Sequence, residues 1–413
     1  MSRFIMTSIG SRGDIAPLTG LGVRLREAGH EVVLAAHSVF EELITGCGLE
    51  FRQMETNVDI DMTDPNVDKL KAAWAFAAPA GVRGTGMGMI DALRDEPADA
   101  LLLAQLTEGA GFPLAEAKGI PAIGLRFQPM CATSAYPPAS MGVRSFGPRG
   151  NRLAADIGAW LGDTVYRGVV ADFRRVLDLP ETSVRELRRR RTVAEWPILH
   201  GYSPHVLPRP ADWRSGLDVT GYWWSPRPLE WEPSAELVDF LAAGPPPVFV
   251  GFGSVVNTTE HSARMSEIVG EGLRQAGVRG IVQAGWLQLA VTADDVITID
   301  DVPHDWLFPQ MAAVVHSCGA GTTAAGLRAG VPAIGVPSYS DQPFWAQRLT
   351  DLGVCAATIP HDKLTAVNLA AAIRTATTDP TLRANATEVA AHIGAEDGAG
   401  QAVKLIEAHL AAR

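Results

Sequence analysis

Short apolar runs alternate with helical patterns in both halves of this 413-residue chain, and this alternation restricts its possible folds more than any other feature. In the first half, strands are predicted at residues 3–8, 31–35, 100–103 and 121–125, with an amphipathic helix at 17–28. Parallel strands need a crossover between them, usually a helix, so this order predicts a parallel sheet covered by helices. The first half is therefore expected to be a Rossmann-like α/β domain.

The second half repeats the pattern after a stretch rich in tryptophan and proline. Strands are predicted at residues 248–252, 280–283, 296–299, 312–316 and 333–336, with a helix at 262–276. Prolines at 226, 228, 233 and 245–247 cannot continue a helix and favour an extended connection. We therefore expect an α/β fold with two domains, residues 1–225 and 247–413, joined by a linker at 226–246, and the last helix packing back on the first domain. Such domains place ligands in the cleft between them.

Composition and charge exclude several classes of protein. The net charge of −11 argues against general nucleic-acid binding. The amino terminus lacks the long apolar core of a signal peptide, and the longest apolar stretch, residues 72–82, is too short to span a bilayer. Four scattered cysteines without CxxC spacing indicate neither a zinc site nor a disulfide framework. A cytoplasmic protein with no transmembrane segment is expected.

Two stretches show no clear periodicity, residues 56–94 and 128–150. Long irregular segments within compact domains are often binding loops, but both stretches could equally be surface connections.

The loop Gly10-Ser11-Arg12-Gly13-Asp14 follows the first predicted strand and precedes a helix. Asp14 would lie at the carboxyl end of the sheet, where it could act in a cleft or simply cap the helix, a role worth ~1 kcal/mol. The dinucleotide fingerprint GxGxxG is absent, which argues against an NAD-dependent oxidoreductase.

A second glycine loop runs from the strand ending at His316 through Cys318-Gly319-Ala320-Gly321 into an alanine-rich helix. Glycines let the backbone approach a ligand, and the free N–H groups of a helix N-terminus form a natural diphosphate site. The segment Gly251–Ser254 could add donors from the opposite side. Each segment could also be an ordinary tight turn between strand and helix.

Four motifs in order make the resemblance to a known family specific: Gly251-Phe252-Gly253-Ser254, the run Val302-Pro303-His304-Asp305-Trp306-Leu307-Phe308, the glycine loop and Ser340-Asp341-Gln342-Pro343-Phe344-Trp345. They resemble the donor-binding half of family 1 glycosyltransferases with the GT-B fold. The chain is most similar there to the antibiotic-tailoring (vancomycin-type) enzymes and the sterol glucosyltransferases. The first glycine loop and Val219-Thr220-Gly221-Tyr222-Trp223 resemble the same branch.

The resemblance implies an inverting transfer of a hexose or deoxyhexose from a dTDP- or UDP-sugar to a hydroxyl of a natural product, as in antibiotic biosynthesis. Asp14 is implied as the general base, Val302 as the backbone partner of the nucleobase, and Asp341 with Gln342 as the sugar ligands. The implied diphosphate ligands are Ser11, Arg12, Ser254, Ser317, Gly319, Ala320, Gly321, Thr322 and Thr323. No metal and no cofactor besides the nucleotide-sugar co-substrate are implied.

One position departs from the branch, which usually has two histidines before the glycines where this chain has His316-Ser317. Serine can donate a hydrogen bond but carries no positive charge, so weaker donor binding, a different donor or lost activity are all open. Two alternatives therefore stay open: a catalytically silent auxiliary homologue that binds a nucleotide or a partner transferase, and a sugar-nucleotide epimerase.

The acceptor is predicted to be small and largely apolar, such as a macrolide, polyketide or sterol-like ring. This expectation comes from apolar side chains in the irregular stretches, which could equally belong to the protein core: Met87, Met89, Phe127, Met130, Tyr136 and Phe146.

Overall fold

Two parallel β-sheets form the framework of the chain, which a computed structural model describes over residues 1–55, 75–228, 230–253 and 259–411. The first sheet has the strand order β3-β2-β1-β4-β5-β6-β7 and the second β10-β9-β8-β11-β12-β13. Every described strand pair within them is parallel, which confirms the prediction of two Rossmann-like units. The strands are β1 Arg3–Thr7, β2 Glu31–Ala36, β3 Glu50–Gln53, β4 Ala100–Ala104, β5 Ala122–Arg126, β6 Ile198–His200, β7 Leu217–Val219, β8 Val248–Gly251, β9 Gly280–Gln283, β10 Val296–Ile299, β11 Ala313–His316, β12 Ala333–Gly335 and β13 Cys355–Thr358.

Helices cover both sheets and supply the crossovers that parallel strands require. The predicted first helix begins at Arg12 rather than at residue 17, so Asp14 lies inside it. The described helices are α1 Arg12–Glu27, α2 Glu41–Gly46, α3 Pro79–Leu93, α4 Glu108–Lys118, α5 Gly147–Val176, α6 Val184–Val193, α7 Ala235–Ala242, α8 Thr259–Ala276, α9 His304–Leu307, α10 Ala320–Ala329, α11 Gln342–Asp351, α12 Ala366–Thr378, α13 Pro380–Gly394 and α14 Gly398–Ala411.

Helix α3 corrects the expectation that residues 56–94 are irregular throughout. Its glycines lower helix propensity and hid it from the sequence pattern, but they are required by packing. A Cβ on Gly86 would lie 2.1 Å from the ring of Phe173, and one on Gly88 would lie 1.8 Å from the carbonyl oxygen of Glu55. Close approach of neighbouring elements therefore decides the residue type at these positions.

The linker segment contains a helix of its own, and the carboxyl-terminal helix crosses to the first sheet. Leu237 on α7 is buried in the same core as Phe249 of β8. On α14, Val403 and Ile406 are buried in the core that also holds Leu21 of α1. The chain thus ends against the domain in which it begins.

The order of strands reverses between β1 and β4 in the first sheet and between β8 and β11 in the second. Ligands of open α/β sheets bind in the crevice outside the carboxyl ends of the strands at such a reversal. The loop that ends at Ser11 follows β1, and the loop that ends at Gly319 follows β11. Both glycine loops predicted from the sequence therefore lie at ligand-binding positions of their sheets.

Aromatic contacts join the two units beside this cleft. Tyr202, which follows β6, packs edge-on against Trp345 of α11 with ring centroids 5.8 Å apart. Tyr136 packs in the same way against Phe344 at 5.5 Å. No described helix is long and apolar enough to cross a membrane.

Candidate active site

Asp14 lies in the first turn of α1 with its carboxylate turned back over the preceding loop. Its Oδ2 accepts hydrogen bonds from the backbone N–H of Ser11 at 2.8 Å and from the Ser11 hydroxyl at 3.1 Å. A Cβ on Gly10 would lie 2.4 Å from the same oxygen, and Gly10 has a φ of +130°. Glycine is thus required both by the backbone conformation and by the close approach of the carboxylate.

Burial raises the pKa of Asp14 from 3.8 to about 6, against the lowering effect of the two Ser11 hydrogen bonds. The nearby carboxylate of Asp341, in the other unit, adds a smaller upward contribution. A carboxyl group with this pKa is mostly ionised at neutral pH yet more basic than an exposed aspartate, as a general base requires. The Asp14–Asp341 interaction also places the two predicted catalytic and sugar-binding carboxylates in the same cleft.

The N-terminus of α10 faces the N-terminus of α1 across the cleft. A Cβ on Gly321 would lie 3.9 Å from the Cα of Gly13. No side chain of the described residues caps α10. The first backbone hydrogen bond of this helix runs from the N–H of Thr323 to the carbonyl oxygen of Gly319, at 3.0 Å. The N–H groups of Ala320 and its two successors are therefore oriented toward the cleft with the positive end of the helix dipole.

The two threonines of this loop differ in their surroundings. Thr322 is partly exposed, whereas Thr323 is 1% exposed and its Oγ1 has no hydrogen-bond partner within the described chain. A buried hydroxyl without a partner is unusual, because desolvation of the group is then uncompensated. Both hydroxyls lie in the first turn of α10, where the sequence predicted diphosphate ligands.

His316, the one histidine present before the glycines, is hydrogen-bonded within its own loop. Its Nδ1 accepts a hydrogen bond from the backbone N–H of Cys318 at 3.1 Å, and burial lowers its pKa to about 3. With this pKa the imidazole is neutral at pH 7, and its Nδ1 atom is occupied by the backbone of the loop. Ser317 is itself buried, at 7% exposure, beside Cys318, which has a left-handed φ of +62°.

Asp341 and Gln342 are both buried and both hold the start of α11. The Oδ2 of Asp341 accepts a hydrogen bond from the indole N–H of Trp345 at 2.8 Å, and burial raises the Asp341 pKa. The nearby side chain of Gln128 opposes this rise of the pKa. The Oε1 of Gln342 accepts from the backbone N–H of Ser338 at 2.8 Å. These contacts fix the orientation of both side chains at the start of α11.

Arg12 lies at the mouth of the cleft, where its guanidinium forms an ion pair with Asp301 of the second unit. Val302 follows directly, and neither its N–H nor its C=O forms a hydrogen bond within the described chain. His304, the next residue but one, is stacked on Phe308 with ring centroids 4.2 Å apart. Burial lowers the pKa of His304 to about 4, and the adjacent Arg12 contributes to this.

The predicted acceptor residues do not form a single cluster. Met87 on α3 packs against the core around β1 and β4, and Phe127 packs edge-on against Trp223 at 5.6 Å. Met130 and Tyr136 both pack against the apolar cluster that contains Tyr202 of the first unit and Trp345 of the second. Of the two further candidates, Met89 is fully buried in the core and Phe146 is exposed.

Asp301 and Gln128 were not predicted from the sequence, although Asp301 is paired with Arg12 and Gln128 lies close enough to Asp341 to affect its pKa. Their positions in the sequence could have indicated a place in the site, because Asp301 precedes Val302 and Gln128 lies just beyond the carboxyl end of β5. The predicted ligand Ser254 lies outside the described residues, in the gap at 254–258. No cluster of three or more potential metal ligands occurs among the described residues.

Two family models match the chain, one in each unit. The Glycosyltransferase family 28 N-terminal domain matches residues 4–137, and the Erythromycin biosynthesis protein CIII-like C-terminal domain matches residues 283–408. The matches include the Asp14 loop and the glycine loop before α10, respectively.

Whole-chain relatives agree with these models. The chain is 34% identical to O-mycaminosyltylonolide 6-deoxyallosyltransferase of Streptomyces fradiae, over 98% of this chain and 97% of that protein. It is 34% identical to a sterol 3-beta-glucosyltransferase of Arabidopsis thaliana, covering 99% of this chain but 66% of that longer protein. The solved glycosyltransferase VinC in complex with dTDP shares the fold with a TM-score of 0.68 at 18% identity, over the full length of both chains. The chain therefore belongs to the nucleotide-sugar-dependent glycosyltransferases of the GT-B fold, in the branch of the antibiotic-tailoring and sterol enzymes.

Proposed function

We propose that this protein is an inverting glycosyltransferase that moves a hexose or deoxyhexose from a dTDP- or UDP-sugar to a hydroxyl of a small, largely apolar natural product. The observation that carries the proposal is the position of Asp14. A carboxylate with a pKa of about 6 lies at the strand-order reversal of one sheet, opposite the uncapped N-terminus of α10 on the other.

Asp14 is the proposed general base. It removes the proton of the acceptor hydroxyl while that oxygen attacks the anomeric carbon from the face opposite the leaving group, which inverts the configuration. The two hydrogen bonds from Ser11 fix the carboxylate through Oδ2. The other carboxylate oxygen is then available to the acceptor.

The leaving nucleoside diphosphate requires stabilisation of its developing negative charge. The N–H groups of Ala320 and Gly321 and the Thr322 hydroxyl are suited to this task, because they are preorganised in a helix N-terminus. The buried Thr323 hydroxyl would gain a partner from the same phosphate group. Arg12 would supply positive charge after leaving Asp301.

The proposed contacts with the nucleobase and the sugar rest on Val302 and Asp341. The free backbone groups of Val302 suit the edge of a nucleobase, and Asp341 suits sugar hydroxyls through the carboxylate oxygen that Trp345 does not contact. A deoxyallosyltransferase and a sterol glucosyltransferase among the relatives support an apolar acceptor.

The test is incubation of the purified protein with dTDP- or UDP-glucose and a panel of macrolides and sterols, followed by mass spectrometry. We expect a product that has gained one hexose and whose linkage is inverted. Asp14→Asn should lower turnover by about two to four orders of magnitude, the usual contribution of a positioned base. Calorimetry should show nearly unchanged binding of dTDP or UDP.

Asp99→Asn is the matched control, because Asp99 also accepts a backbone N–H, from Arg3 at 2.7 Å, but at the amino end of the same sheet. It should retain full turnover. Nucleotide binding without any glycoside product across the panel would favour the silent homologue. Conversion of the sugar nucleotide in the absence of acceptor would favour an epimerase.

A further inference from the structure

Exposed apolar side chains concentrate in one short segment of the first unit. Of the sixteen large hydrophobic residues that are exposed in the described chain, eight lie between residues 141 and 165. Isolated exposed apolar residues are normal on protein surfaces, but a contiguous patch marks an interaction surface. This segment comprises the loop before α5 and the amino-terminal half of that helix.

Between residues 150 and 165 of α5 the exposed large apolar residues form a continuous line, here named the α5 stripe: Leu153, Ile157, Trp160, Leu161 and Val165. Their spacing of four, three, one and four residues places them on one face of the helix. None of residues 152–168 is buried, whereas Val169 and Phe173 of the next turns enter the core. The amino-terminal half of α5 therefore presents its apolar face outward.

The segment of the chain that carries the α5 stripe is basic, in contrast to the chain as a whole. Residues 141–193 contain eleven arginines and six acidic residues, a net charge of +5, whereas the whole chain carries −11. Arg144, Arg149 and Arg167 are exposed and form no ion pair with the described carboxylates. Two acidic residues lie between Leu153 and Val165: Asp163, which is paired with Arg188 of α6, and Asp156, which is exposed.

We infer that the α5 stripe docks the protein on an anionic lipid surface. A helix with an apolar face containing tryptophan, leucine and isoleucine and with arginines beside it lies in the plane of a membrane interface. The apolar side chains enter the boundary of the acyl chains while the arginines remain among the lipid phosphates. The segment at residues 141–193 is positively charged, whereas the whole chain is negatively charged. This segment should therefore bind an anionic surface in preference to a neutral one.

Co-sedimentation of the full chain with lipid vesicles tests this inference without donor or acceptor. We expect binding to vesicles of phosphatidylcholine mixed with phosphatidylglycerol, weaker binding as salt is raised, and little binding to pure phosphatidylcholine. Ile157→Glu combined with Trp160→Glu should lower the affinity at least about tenfold. Arg149→Gln and Arg167→Gln should each lower it about fivefold.

Val367→Glu is the matched control, because Val367 is 68% exposed on α12 in the other unit and should bind as the parent does. Light scattering of each variant follows its oligomeric state, and thermal melting its folding. The inference is overturned if the parent fails to bind the anionic vesicles, or if the stripe variant binds as well as the parent. It is also overturned if the stripe instead joins two copies that bind no lipid. None of these results bears on the glycosyl transfer proposed above.

Discussion

Arg12 and Asp301 connect the two units across the mouth of the cleft through an Nη1–Oδ2 contact of 2.7 Å. Both side chains are about half exposed, so the pair itself adds little to stability, about 0–1 kcal/mol. The pair matters for ligand binding instead. Arg12 is the proposed cationic ligand of the diphosphate, and its guanidinium already contacts the carboxylate of Asp301.

Asp301→Asn should therefore strengthen binding of dTDP or UDP by about threefold to tenfold at low salt. The substitution releases Arg12 and removes a negative charge near the anionic ligand. The gain should shrink at high salt, because exposed charges are screened. Calorimetric titration at two salt concentrations measures both effects. Asp305→Asn, which breaks the neighbouring exposed pair with Arg227, is the control. Weaker binding by Asp301→Asn would instead assign Asp301 a direct role in holding the nucleotide.

Asp14→Asn should stabilise the protein at neutral and alkaline pH. A carboxyl group whose pKa is raised by folding, here from 3.8 to about 6, binds more protons in the folded state between these values. The free energy of unfolding therefore decreases as pH rises from about 4 to 6, and the asparagine variant avoids this loss. The difference should be about 1–3 kcal/mol at pH 7.5 and should vanish near pH 4. Thermal melting at the two pH values checks it, and a lower midpoint for the variant at pH 7.5 would show that the hydrogen bonds from Ser11 dominate.

Turnover of the unmodified protein should fall at acid pH with an apparent pKa of about 6, because protonated Asp14 cannot accept the acceptor proton. The measurement is kcat/KM against pH for the acceptor that the panel identifies. A profile that stays flat down to pH 4.5 would argue that Asp14 is not the base. His316 should not contribute to the profile, because burial holds its pKa at about 3.

Ser317→His should strengthen binding of the nucleoside diphosphate by about fivefold near pH 6. A partly protonated imidazole adds a charge-assisted hydrogen bond, which is stronger than the neutral one from serine. The gain should decrease at about pH 8.5, where the imidazole is neutral. Titration of both variants at the two pH values tests this. Weaker binding at both values would show that the loop, in which Ser317 is 7% exposed, has no room for the larger ring.

Gly20→Ala should destabilise the protein by about 1–3 kcal/mol, as overpacking of a tight contact does. A Cβ on Gly20 in α1 would lie 2.2 Å from the carbonyl oxygen of Trp224. Gly168→Ala is the control within another helix, since no atom lies within 4 Å of its added Cβ and the change should stabilise by about 0.5–1 kcal/mol. Equal melting temperatures for the two variants would mean that the segment around Trp224 moves aside at little cost.

The parallel strands could be predicted because buried parallel strands are short, nearly continuous apolar runs. β1, for example, buries Phe4, Ile5 and Met6 completely. Strands β3, β6, β7 and β13 were missed because each has only three or four residues and none lies in a long apolar run. Helix α3 was missed because its glycines serve contacts with Phe173 and Glu55, which are distant in sequence and invisible to a local pattern.

The parts of the candidate site that consist of backbone loops could be predicted from the sequence. The loops at Gly10–Asp14 and Cys318–Gly321 follow strands and begin helices, a local pattern that the sequence records. The ion pair of Arg12 with Asp301 was not predictable, because it depends on how the two units face each other. The neutral state of His316 depends on its burial and on the N–H of Cys318, which are also results of the fold.

The crossing of α14 to the first unit has a consequence for synthesis on the ribosome. The core beneath α1 is completed by Ala402, Val403 and Ile406, which are translated after all the other residues of that core. The first unit therefore emerges with an apolar face that nothing on its own part of the chain covers. Its final folding step must wait until α14 has left the ribosome, and a nascent chain halted before Gly398 keeps that face open to chaperones.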